Sequence, residues 1–192
     1  MISFAEFEIA VRGLLRLARF DAAFAGFFDL SREGARRSFR LAFALLPVYL
    51  LLIHLNSPWP PEMDIARIVS AELIGYALMW TCFPLLLLYG AQMLKPGPRI
   101  FGAVAVYNWI SVLSLGIQVP ISIAVYLGLD AQVGDLLGHG VDIFVIACEF
   151  FAFKRLLEIA FEGALALAVV DFILGRAIVY LVIVPLARGP LF

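Results

Sequence analysis

ALALAVVDFILGRAIVYLVIVPL, residues 164–186, is long and apolar enough to cross a bilayer, yet it carries Asp171 and Arg176 near its middle. A helix of about 20 apolar residues spans the roughly 30 Å of hydrocarbon in a membrane. The rest of the chain agrees with that reading. Its 192 residues are 64% hydrophobic and 15% charged, with a mean hydropathy of +1.00, whereas soluble domains are about 45–50% apolar and about 25% charged. The expectation is an all-α integral membrane protein, a single five-transmembrane-helix bundle preceded by an N-terminal amphipathic interfacial helix. A net charge of −1 gives no electrostatic footprint for nucleic acid.

The apolar runs place spans at about 39–55, 69–94, 101–129, 136–153 and 163–187, with the second able to begin as early as Pro61. Residues 1–37 read as a cytoplasmic or interfacial segment and 38–192 as the five-span domain. Short links, NSPWPPE, KPGPR, an acidic stretch at 130–134 and KRLLEIAFE, force neighbouring spans to run antiparallel. Pro47, Pro84 and Pro120 fall inside the first three spans, where each removes a helical donor.

Charge distribution sets the orientation. Seven arginines precede the first span (Arg12, Arg16, Arg19, Arg32, Arg36, Arg37 and Arg40), and Lys95, Arg99, Lys154 and Arg155 fall in the second and fourth loops. The other side carries only Arg67 and Arg188. The positive-inside rule then predicts a cytoplasmic N-terminus and an external C-terminus. Trp59 and Tyr49 are expected near the outer interface, where amphipathic rings settle. In FAEFEIAVRGLLRLARF, residues 4–20, Glu8, Arg12, Arg16 and Arg19 gather on one helical side and Phe4, Phe7, Val11, Leu14, Leu15 and Ala18 on the other. Such a helix suits the headgroup plane of an anionic leaflet, so Arg12, Arg16, Arg19, Arg36, Arg37 and Arg40 are the membrane-interface basic candidates. Ser31 or Asp29 can cap the helix that follows.

Within the bilayer the candidates are Asp142, Glu149, Asp171 and Arg176. Asp171 and Arg176, five residues apart, differ by about 140° and do not share a face. Arg176 lies about 15 Å from the outer end of its span and needs a partner on another helix. Asp142 and Glu149, seven apart, form an acidic stripe on the preceding span. Depth matching pairs Arg176 with Asp142 and sets Asp171 near Glu149. Two adjacent carboxylates cannot both be charged without cost, so one is expected to bind a proton or reach a polar neighbour such as Asn108. Glu72, nearer the outer interface, is given no special role. These groups are either a proton or ion pathway or the packing glue of the last two helices.

Chemistry is otherwise sparse. Cys82 and Cys148 sit alone in apolar runs, His54 and His139 lie 85 residues apart, and no metal-ligand spacing or cofactor motif is present. No G-x-S-x-G, H-E-x-x-H or phosphate-binding glycine loop occurs, so the chain reads as non-enzymatic.

Five close spans ending outside, Pro47 in the first, Gly75-Tyr76 in ELIGYALMW within the second and the turn KPGPR before the third together resemble small bacterial members of the Rab-interacting Yip superfamily. The resemblance covers about Arg36 to Ala187. It implies a scaffold or membrane-organising protein of the bacterial inner (cytoplasmic) membrane, with a periplasmic C-terminus. The family's eukaryotic Asp-Leu-Tyr-Gly-Pro signature is absent, Phe28-Asp29-Leu30 being the nearest string, so topology is carried over and a GTPase partner is not. The alternatives are an accessory subunit of a larger membrane complex and a small proton-coupled transporter or channel. The expected partners are the bilayer, anionic headgroups at the N-terminal helix, and other membrane subunits or a second copy.

Overall fold

A computed structural model describes residues 3–56, 64–94 and 99–188. They are 89% helical, with no strand among them, and five of the helices are long and apolar enough to cross a membrane. The first of these begins with α2 (Arg32–Ser38) and continues, after a slight break at Phe39, as α3 (Arg40–Asn56). Then come α4 (Ile65–Leu94), α5 (Ile100–Tyr126) and α6 (Ala131–Leu157). The fifth is composite: α7 (Phe161–Ile178), a wider π turn at Val179–Ile183, and α8 (Val184–Arg188). Ahead of them stand α1 (Phe4–Leu17) and a 3-10 turn at Ala22–Phe27.

Local chemistry explains the helix starts. Ser3 accepts from the Glu6 amide at 3.1 Å, Ser31 from that of Gly34 at 3.1 Å, Asp64 from that of Ala66 at 3.0 Å and Asp130 from that of Gln132 at 2.9 Å. Each oxygen satisfies a first-turn donor that the helix itself cannot. Asp130 thereby starts α6 at Ala131, so most of the stretch expected as an acidic loop is helix, and the fourth span is longer at both ends than its apolar run. Pro61 and Glu62 lie outside the described residues.

The prolines act differently. Pro47, Pro84 and Pro120 are carried inside α3, α4 and α5, which stay continuous. At Pro185 the preceding turn widens instead: the Val184 amide bonds to Val179 rather than one residue nearer. A proline ring collides with the carbonyl four residues earlier, and a π turn moves that carbonyl aside. The widened turn brings Ile183 against Gly75 of α4, where even one added side-chain carbon would overlap the isoleucine.

The centre of the bundle is α5. Residues 102–106 are buried on every side, and Trp109 and Ile110 extend that burial. The tightest packing lies in the half that contains the N-terminal segment, around Leu17, Phe24, Phe83, Val104, Ile110 and Phe153. At this end the α6–α7 connection turns at Glu158, in the left-handed region at φ 54°, and Glu158 forms an ion pair with Arg99 at the start of α5.

The N-terminal segment belongs to the same core. Ala10, Gly13, Leu14 and Leu17 point inward from α1 and are buried. Phe7 packs on Trp109 at 5.9 Å between ring centres, Phe20 on Phe151 at 5.7 Å and Phe24 on Phe151 at 5.9 Å. Phe20 also meets Phe144 at 6.4 Å. Phe144 lies about 15 Å along α6 from Lys154 by helical rise, so these aromatics sit beside the bundle and not beneath its end.

Candidate functional site: the charged contacts of α6 and α7

Arg176 and Asp142 meet across the α6–α7 contact, with the guanidinium nitrogen 2.7 Å from Oδ2. This is the pairing that depth matching predicts. The pair is not sealed within the protein: the side chains are 45% and 30% exposed. Both line a cavity of about 510 Å³ between α5, α6 and α7, opening at the end of the bundle away from α1. Gln118 and Ser122 of α5, Asp135 and His139 of α6, and Asn56 at the end of α3 complete its polar wall. Spacing explains the wall, because Asp135, His139 and Asp142 fall at helical intervals of four and three on one face.

Asp171 lies deeper and turns elsewhere. Its Oδ1 accepts from the Tyr107 hydroxyl of α5 at 2.8 Å, and its carboxylate faces Glu149 of α6. Glu149 is 3% exposed. Three helices thus deliver Tyr107, Glu149 and Asp171 to one point. The Tyr107 ring is fixed there against Phe83 at 4.8 Å. A cavity of about 160 Å³ borders the cluster, lined by Met79, Phe83, Tyr107, Asp171 and Leu174. Two adjacent carboxylates repel, and a single proton held between them removes that repulsion. Asp171 therefore faces inward and not lipid.

Sequence reasoning offered Asn108 as the polar neighbour of Asp171, and the structure gives the adjacent residue. Asn108, fully buried, donates instead to Ser38 at 2.9 Å, joining α5 to α2. One residue on a helix is a rotation of about 100°, so depth alone could not choose between Tyr107 and Asn108. Glu72 also has a partner that the sequence missed. Tyr49, expected near the outer interface, donates to it at 2.9 Å and stacks on Tyr76 at 4.7 Å. Tyr76 in turn donates to the Ala42 carbonyl at 2.6 Å, beside Phe43, whose carbonyl loses its helical donor to Pro47. The Gly75-Tyr76 pair consequently ties α4 to the π turn on one side and to α3 on the other. Trp59 is outside the described residues.

The basic candidates divide into open and engaged side chains. Arg12, Arg16, Arg19, Arg36 and Arg40 are exposed, although Arg12 pairs with Glu8 at 2.7 Å, Arg16 with Asp21 at 2.6 Å and Arg36 with Glu33 at 3.5 Å. Arg37 is half-buried and binds Asp29 at 2.6 Å and Glu6 at 3.7 Å, clamping α2 to α1. Asp29 is held below the usual carboxylate range, first by the Ser31 hydroxyl, then by the Ser31 amide and by Arg37. Backbone bonding from Ala23 and the Arg16 side chain lower Asp21 in the same way. Among the described residues no three His, Cys, Asp or Glu side chains converge in a group able to hold a metal ion. The chain matches no known protein family, no characterised protein and no solved structure.

Proposed function

We propose that the chain is a non-enzymatic, multi-pass membrane-organising protein of the bacterial inner membrane, of the kind its resemblance to the Yip superfamily implies. The observation that carries this reading is the three-way division of α1. At about 100° per residue, one sector (Ala10, Gly13, Leu14 and Leu17) enters the bundle. A second, adjoining sector is apolar (Phe4, Phe7, Val11, Leu15 and Ala18), with Phe4 and Leu15 among its open side chains. The third carries Glu8, Arg12, Arg16 and Arg19, all exposed. A bundle-facing side, an apolar side and a charged side suit a helix packed beside a bundle within one leaflet, its arginines extending toward the headgroups.

The arginine excess favours a cytoplasmic position for this end and a periplasmic C-terminus. Together with the 3-10 turn, α1 widens the protein in that leaflet and, among the described residues, nothing matches it in the other. An object broader in one leaflet favours curved membrane and recruits anionic headgroups through Arg12, Arg16, Arg19, Arg36 and Arg40. The test is reconstitution of the full chain into vesicles containing anionic lipid. Vesicle diameter should fall as protein content rises, and the double variant F4S/L15S should abolish the effect while inserting normally. Wild-type protein that leaves vesicle size unchanged would refute the proposal.

The polar cavity above Asp142 and Arg176 favours a second reading, a small proton-coupled transporter or channel, since intramembrane ionisable groups often serve transport. Its test is a pH-sensitive dye trapped in the same vesicles: proton flux in wild type that is lost in D171N supports it, and equal traces in protein-containing and protein-free vesicles refute it.

A further inference from the structure

We propose that the cavity between α5, α6 and α7 is a binding site for a small basic zwitterion, an amino-acid-like solute with one carboxylate and two ammonium groups. The volume of about 510 Å³ falls in the range that ordinarily encloses small ligands. The wall then supplies three charged positions, each suited to one group of such a solute.

Arg176 forms the first. Its guanidinium has five donors, it makes one hydrogen bond to Asp142, and its side chain lines the cavity while remaining 45% exposed. Phe172 supports it, the guanidinium carbon lying 5.1 Å from the ring centre. The remaining fork is free to take a carboxylate through two parallel bonds. Asp142, half of whose oxygens are not engaged by Arg176, provides the second position, for an ammonium beside that carboxylate.

The third position is Asp135. It stands seven residues, two turns or about 10 Å, outward from Asp142 on the same face of α6. Among the described residues its carboxylate forms no ion pair, and the bond recorded at this residue joins its backbone carbonyl to His139 Nδ1 at 2.7 Å. It is therefore an uncompensated negative charge on the cavity wall. Two aspartates against one arginine on the wall favour a ligand with one extra positive charge over a plain zwitterion. Gln118 and Ser122 on the facing wall supply neutral hydrogen bonds, while Ile121 and Val125 provide apolar surface for the aliphatic link between the two ends.

The experiment is calorimetric titration of the full chain in detergent with L-lysine, with L-norleucine, which lacks the distal ammonium, and with cadaverine, which lacks the carboxylate. L-lysine should bind at least about tenfold more tightly than either analogue. In D135N, an exposed position without a side-chain partner, L-lysine and L-norleucine should become equal. In R176Q, L-lysine and cadaverine should become equal. Absence of L-lysine binding to wild type, equal affinity for all three probes, or an unchanged lysine preference in D135N each overturns the proposal. Because Asp135 is exposed and its side chain forms no hydrogen bond or ion pair among the described residues, the D135N result does not depend on whether R176Q folds. Binding with no change in vesicle shape would separate this site from the membrane-organising role.

Discussion

The two ends of this bundle are built in opposite ways. At the arginine-rich end, α1 and the 3-10 turn add aromatic side chains against α5 and α6, and Phe24 and Phe153 are completely buried. At the other end the described residues add nothing comparable, the first turns of α6 are exposed, and a polar cavity remains. The difference shows how five helices tolerate charge. Among the described residues, the end with less material packed against the spans is where an ion pair keeps accessible surface. Asp142 and Arg176 use that freedom, whereas Asp171, a turn and a half deeper than Arg176, must rely on Tyr107 and Glu149.

The contrast breaks most visibly at its closed end. Phe24→Ala removes a fully buried ring that packs between Phe28 and Phe151 and should cost about 3 kcal/mol. Chemical unfolding in detergent measures it, and a matched Val125→Ala change beside the cavity should cost less than half as much. Next comes the ion pair. Asp142→Ala should cost about 1–2 kcal/mol, well below the figure for a sealed pair, because both groups keep accessible surface along the cavity. A double-mutant cycle with Arg176→Ala gives the coupling directly, and a coupling near zero would show that the pair is held apart in the membrane.

Tyr107→Phe keeps the ring and removes only the hydroxyl bonded to Asp171. Hydrogen bonds between membrane helices average about 0.6 kcal/mol, so a loss of that order is expected in the same unfolding assay, with the contact to Phe83 preserved. The smallest effect concerns pH. The folded state depresses Asp29, so its contribution is present above the unfolded carboxylate value of about 3.9 and fades as pH falls through the lower folded value. Hydrogen-exchange protection across α1 and α2, corrected for the intrinsic pH dependence of amide exchange, should therefore stay constant from pH 7 to about pH 5 and fall below about pH 4. Asp29→Asn should remove most of that change.

Helix number was legible because length and hydropathy report it directly. The Arg176–Asp142 contact was legible too, since antiparallel neighbours expose their depths through residue count. Facing was harder. Tyr107 and Asn108 have nearly equal depth, and only packing against Phe83 turns the tyrosine toward Asp171. Tyr49 was assigned to an interface by its chemical type, while its position opposite Glu72 depends on how α3 and α4 cross. Pro185 gave no sign of widening a turn, because Pro47, Pro84 and Pro120 leave regular helices around them.

The π turn at Val179–Ile183 holds one more residue than an α-helical path of the same rise requires. The chain thus carries slack at this one place in its last span. Deleting a single residue there should let Arg176 and Ile183 keep their neighbours while the turn tightens, with Pro185 bearing the remaining strain. The same deletion within α5 would swing every later side chain by about 100° and scramble the bundle. A scan of one-residue deletions should therefore find membrane insertion surviving at these five positions.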